Sequence, residues 1–368
     1  MWLTNLAIKN FRNLESLDLK THQGFVVLTG PNGAGKTNFL EAIYYGCTLQ
    51  KFPESKIQQL FQDQSNFFNI KLSYQTEELG EPQFLEVILE QKEERYSYLA
   101  KHNHQLIARG RYAGLLPEIS FLPQDLHLLT RSPAARRRFL NDTLVFNSAQ
   151  YRFALDQYEK ALRQRNDLWQ KIKFQGADPK EMEIWDEKLA EFGSELTKSR
   201  QTFIDYLNQR SKAVLEILSP ELAHIKFSYQ TTGAGNKQEF LKKILMMRAK
   251  EQELGTTSLG PHRDDFKATL GGNDVVGYIS RGQLRSITLA LKILEKNYLE
   301  ENLNLSPIMI LDDVFSEFDQ NHQRKLIDFL KTLKQVFLTT THLEEFKNFL
   351  PPQIQNLNIK DGILSPNV

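Results

Sequence analysis

The stretch that most constrains this chain is Gly30-Pro31-Asn32-Gly33-Ala34-Gly35-Lys36-Thr37, a glycine, four free positions and then Gly-Lys-Thr. That is the pattern of a phosphate-binding loop. The apolar run Phe25, Val26, Val27, Leu28 before it reads as a buried strand, and Phe39 to Cys47 after it predicts a helix. Held between strand and helix, the glycines let the backbone bend until several N–H groups face one anion, and the helix N-terminus adds partial positive charge. Lys36 then reaches the β- and γ-phosphates of a nucleotide, and Thr37 places its hydroxyl on a magnesium ion. The bland alternative is an ordinary glycine-rich turn.

A length of 368 residues allows two lobes and a sizeable core, and 40% hydrophobic with 25% charged residues is the balance of a soluble globular protein. A net charge of +1 argues against a uniformly basic nucleic-acid binder and leaves room for a local basic face. No apolar run approaches a membrane span or a signal peptide, so a cytoplasmic location without a membrane partner is expected. The single cysteine, Cys47, cannot form an intrachain disulfide and falls on the helix after the loop, where a buried apolar role fits better than a reactive one.

Before the loop, Leu3 to Ile8 and Leu14 to Leu19 read as strands joined through Lys9-Asn10-Phe11-Arg12-Asn13, and Phe25 to Thr29 follows. Alternating stretches at Phe68 to Tyr74, Phe84 to Glu90 and Arg95 to Ala100, broken by turns such as Glu78-Leu79-Gly80-Glu81-Pro82, predict an antiparallel meander packed on the nucleotide-binding sheet. From about Ser120 the character changes. Leu155, Tyr158, Leu162 and Leu168 form one helical stripe and Leu189, Phe192, Leu196 and Phe203 another, separated by Phe174-Gln175-Gly176-Ala177-Asp178-Pro179. Two antiparallel helices in a hairpin arm, each roughly 50 Å long, are expected. Beyond them His224 to Gln230 reads as a strand, Gly233 to Lys237 as a flexible loop, and Phe266 to Tyr278 as a hairpin turning at Gly271-Gly272-Asn273.

The last third returns to buried-strand patterns. Ile308-Met309-Ile310-Leu311 runs into Asp312-Asp313, and Val336-Phe337-Leu338 into Thr339-Thr340-Thr341-His342. An apolar run ending in acid is the pattern of a parallel strand whose carboxyl end meets a ligand crevice. Asp312 is then the magnesium-side acid, and Asp313 either orients or deprotonates the attacking water or serves as a loop or capping acid. Lys36 and Asp312 lie too far apart for one continuous α/β unit, so one lobe is split by another. Ser280-Arg281-Gly282-Gln283 opens an apolar helix, with Ser280 and Gln283 forming a capping box; taken alone this is either merely a helix start or, through its outward N–H groups, a second anion site.

Taken in order, the phosphate loop, Ser280-Arg281-Gly282-Gln283, Leu311-Asp312-Asp313, Ser316-Glu317-Phe318-Asp319 and His342 are similar to an ABC-type ATPase head, and the chain closely resembles the RecF recombination-repair proteins. Ile8 to Asn13, Pro123-Gln124-Asp125-Leu126, Arg136-Arg137-Arg138-Phe139-Leu140 and Leu259-Gly260-Pro261-His262-Arg263-Asp264-Asp265 carry the likeness over nearly the whole length. The resemblance implies a head related to SMC proteins, with the long coiled coil reduced to a short arm. It implies an ATP-dependent homodimer with shared sites: one subunit offers Lys36, Thr37 and Asp312, its twin Ser280 and Gly282 with Gln283 beside them. It gives Gln124 to the magnesium ion and the attacking water, Asp319 to the opposite subunit, and His342 to the γ-phosphate. Arg12 either reaches phosphate or makes a structural salt bridge.

The implied fold is α/β: a P-loop lobe with a mixed sheet at residues 1–119 and 286–368, and an inserted, mainly helical lobe with the short arm at 120–285. The implied activity is slow, DNA-dependent hydrolysis of ATP with Mg2+, in a protein that clamps duplex or gapped DNA and loads RecA with the RecO and RecR proteins. Arg131, Arg136, Arg137 and Arg138 are candidates for DNA phosphate, or for a solvated or interlobe face. His262 to Asp265 lacks a metal-ligand spacing and suits coupling of the hairpin to the nucleotide interface better. A transporter ATPase subunit is the alternative, disfavoured by the Asn-Phe-Arg segment, the arm and Arg281 where transporter heads carry a second glycine. A small-molecule kinase would not need Ser280 to Gln283.

Overall fold

A computed structural model describes residues 1–77, 80–93 and 95–366, so Glu78 and Leu79 of the expected turn lie outside the described residues. The chain divides into two compact units, Met1–Leu126 with Glu295–Val368, and His127–Leu294.

In the first unit, strands β1 (Trp2–Phe11), β2 (Leu14–Lys20), β4 (Phe67–Gln75), β5 (Gln83–Lys92), β6 (Arg95–His102) and β7 (Gln105–Leu106) form one sheet in the order β2-β1-β4-β5-β6-β7. Its pairings are antiparallel. Alternation sets the faces: Phe68, Ile70, Leu72 and Tyr74 of β4 point inward and are buried, while Lys71 points out. The second sheet, β15-β14-β3-β13-β12-β8, contains β3 (Gly24–Thr29), β8 (Glu118–Phe121), β12 (Ile308–Asp312), β13 (Gln335–Thr340), β14 (Ile354–Lys360) and β15 (Ile363–Pro366). All its pairings are parallel except the terminal β14–β15 hairpin. Every residue of β13 is buried, as a strand covered on both faces requires.

Helix α1 (Lys36–Thr48) packs against both sheets and is buried along nearly its whole length, Cys47 included. Burial pushes the Cys47 thiol well above its ordinary range, the opposite of what a nucleophile needs. The helix begins at Lys36, three residues before the apolar pattern, because left-handed Gly35 turns the loop directly into its first turn. The four-residue helix α2 (Arg109–Tyr112) sends the Tyr112 hydroxyl to the Gly46 carbonyl at 2.7 Å, and α8 (Gln320–Leu330) precedes β13.

The second unit holds α3 (Pro133–Asn147), α4 (Ala149–Gln175), α5 (Met182–Leu218) and α6 (Lys237–Leu254), and a small sheet β11-β10-β9 of β9 (Lys226–Gln230), β10 (Asp265–Leu270) and β11 (Asn273–Asp274). Helix α7 (Arg281–Leu303) starts here and ends in the first unit. Helix α4 ends at Gly176, in the left-handed conformation, within the break read from the sequence. The arm is antiparallel as expected but unequal, with 27 residues in α4 and 37 in α5, about 40 and 55 Å.

Helix α6 corrects the two-helix reading, since it packs on both α4 and α5. Its buried positions are Phe240, Ile244 and Glu251, so a charge breaks the apolar period. That charge is answered inside the arm: Arg165, fully buried on α4, meets Glu251 at 2.7 Å and Asp186 of α5 at 2.7 Å, with its guanidinium over the Trp169 ring.

Candidate nucleotide site

Parallel strands bring their carboxyl ends to one edge. There β3 runs into the glycine loop, β12 into Asp312-Asp313, β13 into Thr341-His342 and β8 towards Gln124. The register aligns Asp312 with Thr339 and Thr29 with Thr340. Residues distant in sequence therefore share the crevice at which α/β sheets bind ligands.

The loop is shaped by close approach as well as by turning. A side chain at Gly30 (φ 152°) would put its Cβ 2.3 Å from the Ile359 carbonyl oxygen, and one at Gly35 (φ 112°) would meet the Asn13 amide at 2.7 Å. Asn13 also donates to the Ala34 carbonyl at 3.2 Å and accepts from Asn38 at 2.7 Å, while the Gly362 N–H reaches the same Ala34 carbonyl at 2.9 Å. Lys36 Nζ donates to the Gly30 and Pro31 carbonyls at 2.7 and 3.0 Å, folded back onto its own loop. Burial lowers its pKa, opposed by Asp313 and Asp312.

The Thr37 hydroxyl donates to Asp312 at 2.8 Å, and Thr339 donates to the same carboxylate at 2.7 Å. A hydroxyl and a carboxylate in contact are the hard oxygen donors that Mg2+ prefers. Asp313 stands apart from Asp312 because its backbone is left-handed (φ 48°), anchored by its N–H on the Thr339 hydroxyl at 3.0 Å. Its buried Oδ1 has no hydrogen-bond partner among the described residues. Burial, then the charge of Asp312, raises its pKa, with Lys36 opposing.

A carboxyl that holds its proton more tightly folded than unfolded costs stability once ionised, and the cost vanishes as pH falls below the ordinary carboxylate range. Asp313→Asn is therefore expected to raise the nucleotide-free melting temperature at pH 7 by about 1–3 °C, with the gain shrinking towards pH 4. Calorimetry showing a lower melting temperature at pH 7 would contradict this electrostatic reading.

Arg12 is tied to structure. It forms an ion pair with buried Glu41 of α1 and donates to Ser55 Oγ at 2.6 Å, which is the salt-bridge reading of that residue. The His342 ring is exposed, 3.7 Å from Glu345. Asp319 caps α8, accepting the His322 N–H at 2.9 Å, and that bond leads the causes holding its carboxyl below the usual range.

In the second unit Ser280 and Gln283 make the reciprocal capping box: the Ser280 N–H donates to Gln283 Oε1 at 2.9 Å and the Gln283 N–H to Ser280 Oγ at 3.2 Å. Ser280 and Gly282 are exposed. Arg136 corrects the DNA set. It is buried and bidentate on Asp265 at 2.7 and 2.8 Å, with further bonds to the Leu129 and Arg131 carbonyls. Arg137 donates to the Asp264 carbonyl and Arg138 to Asp142, whereas Arg131 is exposed. The residues of the His262 cluster part company: His262 meets the Tyr158 hydroxyl at 2.6 Å, and Asp264 accepts from Tyr229, Thr231 and Thr232. Burial leads the causes that hold His262 at a pKa of about 4, so the ring is neutral.

A phosphate loop, an acid-tipped parallel strand and an antiparallel meander over α1 define an SMC-type ATPase head. The family model for the RecF/RecN/SMC N terminal domain matches residues 2–358, and the Smc head domain from Pyrococcus furiosus shares the fold at 13% identity and TM-score 0.54, over 99% of this chain and 95% of that one. Within that class the chain belongs to the RecF family. The DNA replication and repair protein RecF of Moorella thermoacetica is 35% identical over 343 residues, 93% of this chain and 90% of the relative. A solved recombination mediator protein RecF-ATP of the RecFOR pathway superposes with TM-score 0.86 at 28% identity, covering 100% of this chain and 98% of that one.

Asn13, Asn38, Thr339 and Gly362, which brace the loop and Asp312, were not among the expected site residues. Asn13 and Thr339 sit within the segments Ile8 to Asn13 and Thr339 to His342, whose sequence gives them no role of their own. Asn38 and Gly362 act through hydrogen bonds to residues distant in sequence, Asn13 and Ala34, and left no local pattern.

Proposed function

We propose that this protein is an ATP-switched DNA-binding ATPase of recombinational repair: ATP joins two heads, the joined heads hold duplex or gapped DNA, and slow hydrolysis releases it. The single observation that carries the reading is the meeting of Thr37 with Asp312 beside Lys36, three groups suited to one nucleotide and its ion. Lys36 and the loop N–H groups bind the phosphates. Thr37 and Asp312 would hold a magnesium ion, with Gln124 at the neighbouring strand end; when bound, the ion neutralises phosphate charge.

Asp313 accepts a proton from the attacking water, and its raised pKa makes it a better base than an exposed aspartate. Its carboxylate is one methylene shorter than glutamate, which suits slow turnover. His342 faces the γ-phosphate, and Asp319, Ser280, Gly282 and Gln283 meet the twin's site. The RecF-ATP relative supports ATP as ligand, and its RecFOR context supports RecO and RecR as partners in loading RecA at gaps. Arg131 and the half-buried Arg137 and Arg138 remain candidates for DNA phosphate. Among the described residues no helix is long and apolar enough to cross a membrane; the reading places the protein in the cytoplasm with no membrane partner.

The test is sedimentation together with retention of a labelled duplex, each with ATP, ADP or no nucleotide. Dimers and retained DNA are expected with ATP alone, and Asp313→Asn should prolong both. DNA retention equal in all three conditions would end the switch reading.

A further inference from the structure

Residues 95–117 contain no acid and carry Arg95, Lys101, Arg109 and Arg111, with His102 and His104. The fold gathers them along one border of the antiparallel sheet. β6 is the strand next to the end, and among the described residues β7 pairs with it only at Lys101 and His102. Helix α2, carrying Arg109 and Arg111, packs against β6. Lys101 is answered by Glu86 at 2.9 Å. Arg95, Arg109 and Arg111 are exposed, and among the described residues none has an ion-pair partner. Aromatic surface lies between the charges: Tyr98 is 47% exposed with the Arg109 guanidinium 5.7 Å over its ring, and His104 stacks on exposed Phe84 at 5.4 Å.

Charges on an open sheet edge have a bland use, since they stop two edges from pairing. That use needs charge on the strand itself. Here two of the three arginines stand on α2, off the edge, and Arg109 reaches the Leu49 carbonyl at 3.3 Å with its guanidinium 5.7 Å over the Tyr98 ring. Arginine forks beside exposed rings suit phosphate oxygens and the sugar-base surface of nucleic acid. The eight residues of β6 span about 26 Å, enough to face several phosphates of one strand.

We propose that the border formed by β6, β7 and α2 is a contact surface for duplex DNA, with Arg95, Arg109 and Arg111 on the phosphate backbone. The proposal rests on the DNA-binding reading above and gives it a site on the nucleotide-binding unit.

The test compares wild type, Arg95→Gln/Arg109→Gln/Arg111→Gln, and a charge-matched control, Lys171→Gln/Lys180→Gln/Lys250→Gln, with ATP and a labelled 30-base-pair duplex over a salt series. Loss of three phosphate contacts should weaken binding about ten- to a hundredfold at low salt and flatten the slope of log affinity against log salt by about 2–3. The control should keep the wild-type slope, and ATP-dependent dimers of the arginine variant by sedimentation should show it folded. The single change Arg109→Gln, flattening the slope by about 0.9, serves if the triple variant fails to fold.

Wild-type affinity and slope in the arginine variant would overturn the proposal, leaving the charges as edge guards or a dock for an acidic protein. Equal losses in the control would overturn it as a general charge effect. If wild type itself binds no duplex in any nucleotide state, the parent reading fails instead.

Discussion

Lys36→Met should weaken ATP binding by at least about a hundredfold, the equivalent of losing two charge-assisted hydrogen bonds to phosphate. Lys36 is 8% exposed, and its ammonium lies on the Gly30 and Pro31 carbonyls. On binding, it exchanges those carbonyls for phosphate oxygens, so the gain is the difference between neutral and anionic acceptors in a partly desolvated site. Methionine keeps the length and apolar stem while removing every donor. It also leaves the two loop carbonyls without Lys36, which should cost the free protein about 1 kcal/mol and lower its melting temperature slightly. Calorimetric titration with ATP, on protein shown folded by circular dichroism, separates the two effects. Unchanged affinity in a folded variant would remove this loop from the site.

Much of the catalytic edge was legible because its chemistry is written in short strings. Gly30 to Thr37 needs glycine for backbone reasons and Lys-Thr for phosphate and metal. Ile308 to Asp312 announces a buried strand with a charge it can tolerate only at its end. Ser280 and Gln283 spell their capping box at the right spacing. Where contacts join distant residues, the sequence was silent. Arg165, Asp186 and Glu251 look like three surface charges, yet they form the ionic centre of the arm. The same holds for Arg136 of α3, whose partner Asp265 lies on β10, 129 positions away. Helix α6 carries no unbroken apolar stripe, because one of its buried positions is a glutamate. Local motifs report local chemistry, and a buried ion pair is visible only once both ends are placed.

Ser280→Arg probes the shared site. The Ser280 hydroxyl caps its own helix and is exposed in the single chain, so the substitution should cost about 1 kcal/mol of capping and leave the phosphate loop of the same chain untouched. Across a face-to-face dimer it would put a long cation where the twin's ATP must sit, a steric block against one partner only. ATP affinity should therefore survive while ATP-dependent association is lost. Mixing Ser280→Arg with Lys36→Met places both defects in one composite site and neither in the other, so heterodimers should return. The decisive measurement is sedimentation velocity of wild type, Ser280→Arg and that mixture, each with ATP. Dimers are expected from wild type and from the mixture, and monomers from Ser280→Arg alone; Ser280→Arg dimerising with ATP as well as wild type would contradict the shared nucleotide site.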